Sequence, residues 1–413
     1  MTAPWFTEAA KRYARSNAQT LTWMLDRPRL HGVFLNTKMN PLTLADYTAE
    51  DGWRGPDHVY GWIQGRGLEA LATHARAFAA QDPELAARLH NAAADVYTAL
   101  DGLREQDGHA YFCYDRDMQP IRFVDGTPQA QERPADIFTY SDIFVAKGLV
   151  AAAAAHAPDQ LPRHVARLET IIAAIEDGRF QMDEKLPLSE ASLAGEPADF
   201  GPRMIMLSAG GMLARIGMAE RTGFADRFIA YVIEHHFDPA TGLLRNVPGQ
   251  DACNVGHGIE FVGFALDHLG ADADPALLKT LKTILVSSFS KGFAGPGVRL
   301  VVSAETGAPI SPYCPWWSLP ETIRSAALCY ERSGDPAVLA VWQAADQAFF
   351  ERYWRPEAAI AYQCLTESGP IDYVPATPDL DPGYHTGLSL LAAIETVARL
   401  PKILQPEQFD GIA

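Results

Sequence analysis

The chain is poor in the residues that would mark several common classes of protein. Among 413 residues it has five cysteines: Cys113, Cys253, Cys314, Cys329 and Cys364. The count is odd and no CxxC pair occurs, which argues against a disulfide framework or a zinc ribbon. Positive charge is scarce, with 34 Lys and Arg against 51 Asp and Glu and a formal net charge of −17. Nucleic acid and anionic membrane are therefore not expected as partners, because neither supplies the missing counter-charge. The longest bland apolar run, Val145 to Ala157, is Ala-rich and carries Lys147. It is too short to span a bilayer. Met1-Thr2-Ala3-Pro4-Trp5 shows no basic region leading into an apolar core. No signal peptide is expected, and the cytoplasm is the expected compartment. HExxH, GxSxG and P-loop patterns are missing. Gly61, Gly65 and Gly67 fall inside a helical pattern rather than after a strand, so they are not a dinucleotide fingerprint. Glu234-His235-His236 is no metal tract either, because adjacent side chains diverge on a helix; a solvated helix end is expected there. No metal and no cofactor is implied.

What the chain does have is apolar content, 48% of its residues, arranged with helical periodicity. About twelve long stretches follow the i, i+3, i+4, i+7 spacing: 4–26, 58–80, 83–104, 136–157, 161–177, 201–222, 224–237, 253–270, 273–293, 316–333, 335–353 and 383–400. Asp82-Pro83, Asp274-Pro275 and Asp335-Pro336 open three of them with an N-cap and a first-turn proline. The linkers alternate. Even-numbered helices reach odd ones through tight turns such as Gln81-Asp82-Pro83, and odd ones reach even ones through long segments such as 27–57 and 178–200. Several long segments hold a Gly turn beside a short aromatic or branched run, as around Gly108, Gly242 and Gly307, and read as small hairpins.

Six helical hairpins with a loose repeat are the result. An open solenoid would need polar capping repeats, and no strongly polar terminal repeat is evident. The expected architecture is all-α, a single (α/α)6 barrel over residues 1–413, with even helices inside and short β-hairpins at one end. An open superhelix of the same pairs is the alternative.

If the even helices are inner and parallel, their N-termini meet at one mouth. That rule gathers Arg66, Tyr140, Asp142, Arg203, His257, Glu321 and His385. Six N-termini also turn partial positive charge toward that mouth, which suits an oxyanion or enediolate. A His near neutral pH is the usual general acid or base, so His257 and His385 are candidate catalytic residues. Glu260, three residues after His257, shares its helix face and could orient the imidazole. Arg66 is a planar donor suited to sugar oxygens, and Glu321 could serve the cavity or pair with Arg324. Trp316 and Trp317, like Tyr111, Tyr114 and Tyr140, could stack on sugar rings or simply pack as wall.

Four segments in register carry a resemblance: Val59-Tyr60-Gly61-Trp62-Ile63-Gln64-Gly65-Arg66, Gly256-His257-Gly258-Ile259-Glu260, Trp316-Trp317 through Glu321, and Gly383-Tyr384-His385. They resemble the N-acylglucosamine 2-epimerase superfamily, which includes cellobiose 2-epimerases and aldose–ketose isomerases of mannose-type sugars. The resemblance covers nearly the whole chain and implies an (α/α)6 barrel, a monomer or homodimer, and a small sugar as substrate. It further implies His257 and His385 as an acid/base pair working through a cis-enediolate. Arg66, Glu260, Glu321, Trp316, Trp317, Tyr140, Tyr114 and Arg203 are the substrate-binding candidates. The family's Arg three residues after the second His is Leu388 here, and Gly201-Pro202-Arg203-Met204 replaces an Asn-Pro-Met-type stretch. Two other functions stay open. One is a glycoside hydrolase on the same barrel, pairing Asp136 or Asp142 with Asp381. The other is a non-catalytic carbohydrate-binding barrel.

Overall fold

The structure, a computed structural model, describes residues 2–270, 273–373 and 377–403. Positions 1, 271–272, 374–376 and 404–413 of the expected domain lie outside the described residues. Twelve long helices appear among them: α1 (Thr2–Asp26), α2 (Gly61–Phe78), α3 (Pro83–Arg104), α4 (Tyr140–His156), α5 (Leu161–Glu176), α6 (Gly201–Arg215), α7 (Gly223–His236), α8 (Val255–His268), α9 (Pro275–Gly292), α10 (Ser318–Ser333), α11 (Pro336–Ala348) and α12 (Ser389–Ile403). The Asp caps form as expected: Asp82, Asp274 and Asp335 accept from the backbone N–H groups of Leu85, Ala276 and Ala337. Several bounds depart from the sequence expectation: α4 begins at Tyr140 rather than 136, and α6 ends at Arg215 rather than 222. Helix α12 begins six residues late, after a wide π turn over Tyr384–Leu388. One extra helical turn, Glu190–Leu193, sits in the loop before α6.

The six even helices pack each on the next, and the π turn before α12 closes the ring against α2. The odd helices pack outside them. Burial follows this division. Every residue from Ser141 to Ala153 in α4, and from Ser318 to Cys329 in α10, is buried. Such all-round burial marks a helix enclosed by others. Outer helix α5 buries one stripe only: His164, Val165, Leu168, Ile171, Ile172, Ala174 and Ile175.

Inner helices approach so closely that some contacts are backbone to backbone. A Cβ on Gly65 would lie 2.5 Å from the Phe144 carbonyl carbon, and one on Gly148 would lie 2.5 Å from the Gly65 carbonyl oxygen. Gly65→Ala is therefore expected to destabilise by about 1–3 kcal/mol and lower the thermal midpoint. Gly102→Ala, at an exposed site with nothing within 4 Å of the added methyl, should leave the midpoint unchanged or raised. Thermal scans of the two variants at one heating rate check the contrast.

Short antiparallel ladders decorate the end where the inner helices begin. Val59–Tyr60 leads directly into α2 and is the first strand of a four-stranded sheet with Cys113–Tyr114, Pro120–Val124 and Thr127–Ala130. Ala252–Cys253 and Cys314–Pro315 hold the lead-ins to α8 and α10. At the opposite end Arg76, His156, Arg215, His268 and Arg332 occupy the last turns of five inner helices. The three arginines offset the negative ends of their helix dipoles. No described helix is long and apolar enough to cross a membrane.

Candidate active site

A cavity of about 260 Å³ opens among the N-terminal turns of the inner helices. Trp62 and Arg66 come from α2, Tyr140 and Phe144 from α4, Met204 and Ile205 from α6, and His257 and Glu260 from α8. Trp316 and Trp317 lead into α10, and His385 sits in the π turn before α12.

His257 occupies the first turn of α8, where the Asn254 side chain accepts its backbone N–H at 3.2 Å. Glycine at 256 has a steric reason, since a Cβ there would meet the Trp317 indole at 2.6 Å. The indole consequently lies between the two histidines. Its centroid is 5.5 Å from the His257 ring and 5.8 Å from the His385 ring. Gly383 at φ +83° starts the π turn, a left-handed conformation that costs glycine little. The Asp381 carboxylate then accepts the backbone N–H groups of Tyr384, His385 and Thr386 at 3.0, 3.2 and 2.9 Å. Residues 128 apart in sequence thus face one hollow.

The two imidazoles differ in their surroundings. His385 Nδ1 lies 3.0 Å from Glu321 Oε1, and Arg324 holds the other Glu321 oxygen at 3.1 Å. His257 Nδ1 is buried with no hydrogen-bond partner. Burial lowers His257 to about 4, with Asp199 opposing and His385 reinforcing the shift. Burial also lowers His385, but the Glu321 hydrogen bond works against it.

Arg66 rests its guanidinium 4.0 Å from the Phe144 centroid, 5.2 Å from Trp62 and 5.5 Å from Tyr384. Its Nε is buried without an acceptor. An unused planar donor beside an unpaired imidazole describes a surface awaiting polar partners.

Several expectations need correction. Glu260 does not orient His257; it turns across the barrel, with Oε1 3.8 Å from His385 Nδ1. Arg203 points outward, its guanidinium 3.8 Å over the Tyr231 ring of α7, because Met204 and Ile205 take the inward phase of α6. Tyr114 is buried behind the wall, where its hydroxyl accepts the Tyr111 N–H at 2.9 Å. The hydrolase carboxylates do not line the cavity. Asp142 caps α4 and is held by Arg133 and His109; burial raises its pKa, but Arg133 and the hydrogen bonds from His109 and the Ala110 N–H bring it down to about 2. Asp381 caps the π turn, and Asp136 is exposed. Of the 234–236 helix end, Glu234 and His235 are exposed as expected, but His236 is buried, its Nδ1 2.9 Å from the Arg245 carbonyl. Leu388 lines a small chamber behind Tyr384, on the far side from the cavity.

Some wall residues carried no direct sequence signal. Phe144 could have been found one turn after Tyr140. Glu184 could not, since it comes from the long 178–200 segment. Its carboxylate accepts Trp62 Nε1–H at 2.6 Å and the Ser141 backbone N–H at 3.0 Å, which fixes the Trp62 wall. Glu260, Glu321 and His385 bring ligand atoms within 4.8 Å of one another. Glu321 gives one oxygen to a hydrogen bond with His385 and the other to an ion pair with Arg324, while Glu260 Oε1 has no hydrogen-bond partner.

No protein-family model matches the chain, and no curated protein matches it in sequence. Solved structures do. A cellobiose 2-epimerase from Bacillus thermoamylovorans B4167 matches over 94% of this chain and 98% of its own, with TM-score 0.73 and 17% identity. A cellobiose 2-epimerase from Spirochaeta thermophila DSM 6192 matches over 97% and 99%, with TM-score 0.70 and 16% identity. A D-mannose isomerase matches over 94% and 98%, with TM-score 0.70 and 14% identity. The fold is shared with these proteins.

Proposed function

We propose that the protein is a sugar epimerase or aldose–ketose isomerase of the N-acylglucosamine 2-epimerase type, with His257 and His385 as its acid/base pair. One observation carries the reading: two imidazoles from distant hairpins meet on one indole in a cavity where Arg66 has no acceptor. The similar structures, two sugar epimerases and a sugar isomerase, support it.

The chemistry is proton transfer at carbon. A ring-opened aldose has an acidic C2–H because its C1 carbonyl delocalises the resulting charge. One imidazole removes that proton and a cis-enediolate forms. A proton returned to C2 on the opposite face gives the epimer; one returned to C1 gives the ketose. His257, neutral through the neutral range, is suited to take the first proton. His385 has a carboxylate behind Nδ1 and is better able to hold one, because that oxygen stabilises an imidazolium. The roles reverse for the opposite direction. Arg66 lies on the same wall and stabilises the developing oxyanion.

Products of a panel of free aldoses, ketoses and N-acetylhexosamines, separated by chromatography, test the proposal. A C2 epimer or a ketose is expected from at least one sugar. New reducing ends from oligosaccharides, without either product, would favour a hydrolase instead. Arg66→Lys is expected to lower kcat/KM by roughly 10- to 100-fold, about 1.5–3 kcal/mol. Lysine keeps the charge but loses the planar donor pair and the stack on Phe144. Steady-state rates on the converted sugar check this.

A further inference from the structure

Glu260 is a buried carboxyl that nothing else in the site satisfies. It lies one turn after His257 on α8 and lines the cavity. Its Oε1 is buried with no hydrogen-bond partner, and the nearest ring nitrogen, His385 Nδ1, is 3.8 Å away. That nitrogen is already committed to Glu321 at 3.0 Å. Glu321 has its second oxygen in an ion pair with Arg324 at 3.1 Å, so Glu260 is the less compensated of the two carboxyls. Two neighbouring buried carboxyls do not both ionise readily; one keeps a proton.

We infer that Glu260 is a neutral carboxylic acid in the resting protein and is the acid on the oxygen side of the reaction. This rests on the function proposed above. As an imidazole takes the C2 proton, the C–H pair forms the C1=C2 bond. The O1 oxyanion that develops beside Arg66 takes the Glu260 proton, so the enediolate is quenched to a neutral cis-enediol beside an imidazolium and the Glu260 carboxylate. If the opposite histidine, protonated at the outset, returns its proton to C2, Glu260 takes back the O1 proton and the epimer results, with the imidazolium charge moved from one histidine to the other. If a proton returns to C1, Glu260 takes the O2 proton and the ketose results. Either way Glu260 ends as it began. The same carboxyl thereby serves both outcomes, and the carbon that receives the proton decides between them.

The charges around Glu260 oppose one another. Burial and Glu321 raise its pKa, while Arg324 and then Arg66 and Lys147 lower it, and the balance stands at about 8. His257 on the same helix, His385 in the π turn and Tyr140 of α4 also face it. The active form is the protonated one, so rate is lost as pH rises through about 8.

The test combines an optical and a kinetic measurement on the full chain. Infrared difference spectra in D2O of the protein against Glu260→Gln should show a neutral carboxylic acid C=O band at pH 7 that disappears as pH rises through about 8. Turnover of a sugar that the protein converts should fall over the same range. Glu260→Gln should lower kcat by about 100-fold or more, and its residual rate should lack that basic limb. Sugar conversion without the neutral-acid band at pH 7 overturns this inference and leaves the proposed function standing. The band without conversion of any sugar overturns the proposed function, and the catalytic role of Glu260 with it.

Discussion

Alanine at either His257 or His385 is expected to lower conversion of the sugar by about 10³-fold or more, with the fold retained. The His257 side chain fills no hydrogen-bonding role, since its Nδ1 has no partner and its backbone N–H is held by Asn254. Removing the ring therefore frees cavity space without orphaning a buried group. Loss of the His385 ring leaves Glu321 still paired with Arg324, and the π turn still capped by Asp381. The two single variants should also differ from a dead protein in one respect. An imidazole left alone can remove and return a proton on its own face, so each variant should still exchange C2–H of one substrate epimer without inverting it. The double variant should lose that exchange as well. Its conversion should be no lower than that of the single variants, because residues that act as a unit are not additive. Circular dichroism confirms folding, and NMR of the C2 proton for both epimers reads the exchange.

Lys147→Met carries the largest expected effect on stability. This ammonium is fully buried in α4, 3.0 Å from Glu69 Oε2 of α2, and it donates to the Tyr384 hydroxyl at 2.7 Å. Burial disfavours its charge, but Glu69 and Tyr384 together raise its pKa above the usual lysine value. The ammonium is therefore charged throughout the neutral range. Methionine would fill most of the volume and leave Glu69 as an uncompensated buried carboxylate, which costs about 3–5 kcal/mol. Adding Glu69→Leu should recover much of that loss, since removing both charges also removes their desolvation penalty. Denaturant midpoints of the two single variants and the double variant give the coupling energy. Recovery of stability should not recover turnover. Tyr384 adjoins His385, with ring centroids 5.1 Å apart, and without Lys147 it loses the donor that anchors it.

Most of the barrel was legible in the sequence because the linkers alternate between tight and long. That alternation assigns inner and outer helices without reference to any side chain. It placed His257, His385, Arg66 and Tyr140 at one mouth. The rotation of each inner helix was not legible. A helix buried all round, such as α6, has no polar stripe to fix its phase. Arg203 and Ile205 were thus indistinguishable as wall candidates, although the first faces Tyr231 and the second faces the cavity. Glu260 misled for a related reason. Its spacing from His257 describes neighbours on one helix face, whereas a turn from the far side of the ring brings His385 closer. Glu184 had no local signal, because a loop of more than 20 residues places its side chains by packing rather than by period. Leu388 shows the converse. Its departure from the family pattern is plain in the sequence, but the wide π turn sends it to the rear chamber rather than the cavity.

The most direct test of the central claim, proton transfer at C2 between two imidazoles, is conversion of an unlabelled sugar in D2O with the product read by NMR. The account predicts deuterium at C2 of the epimer, or at C1 of the ketose, bonded to the carbon that received a proton from an exchanged imidazole. Conversion with the original hydrogen fully retained would show hydride or carbon migration in place of an enediolate, and would contradict it.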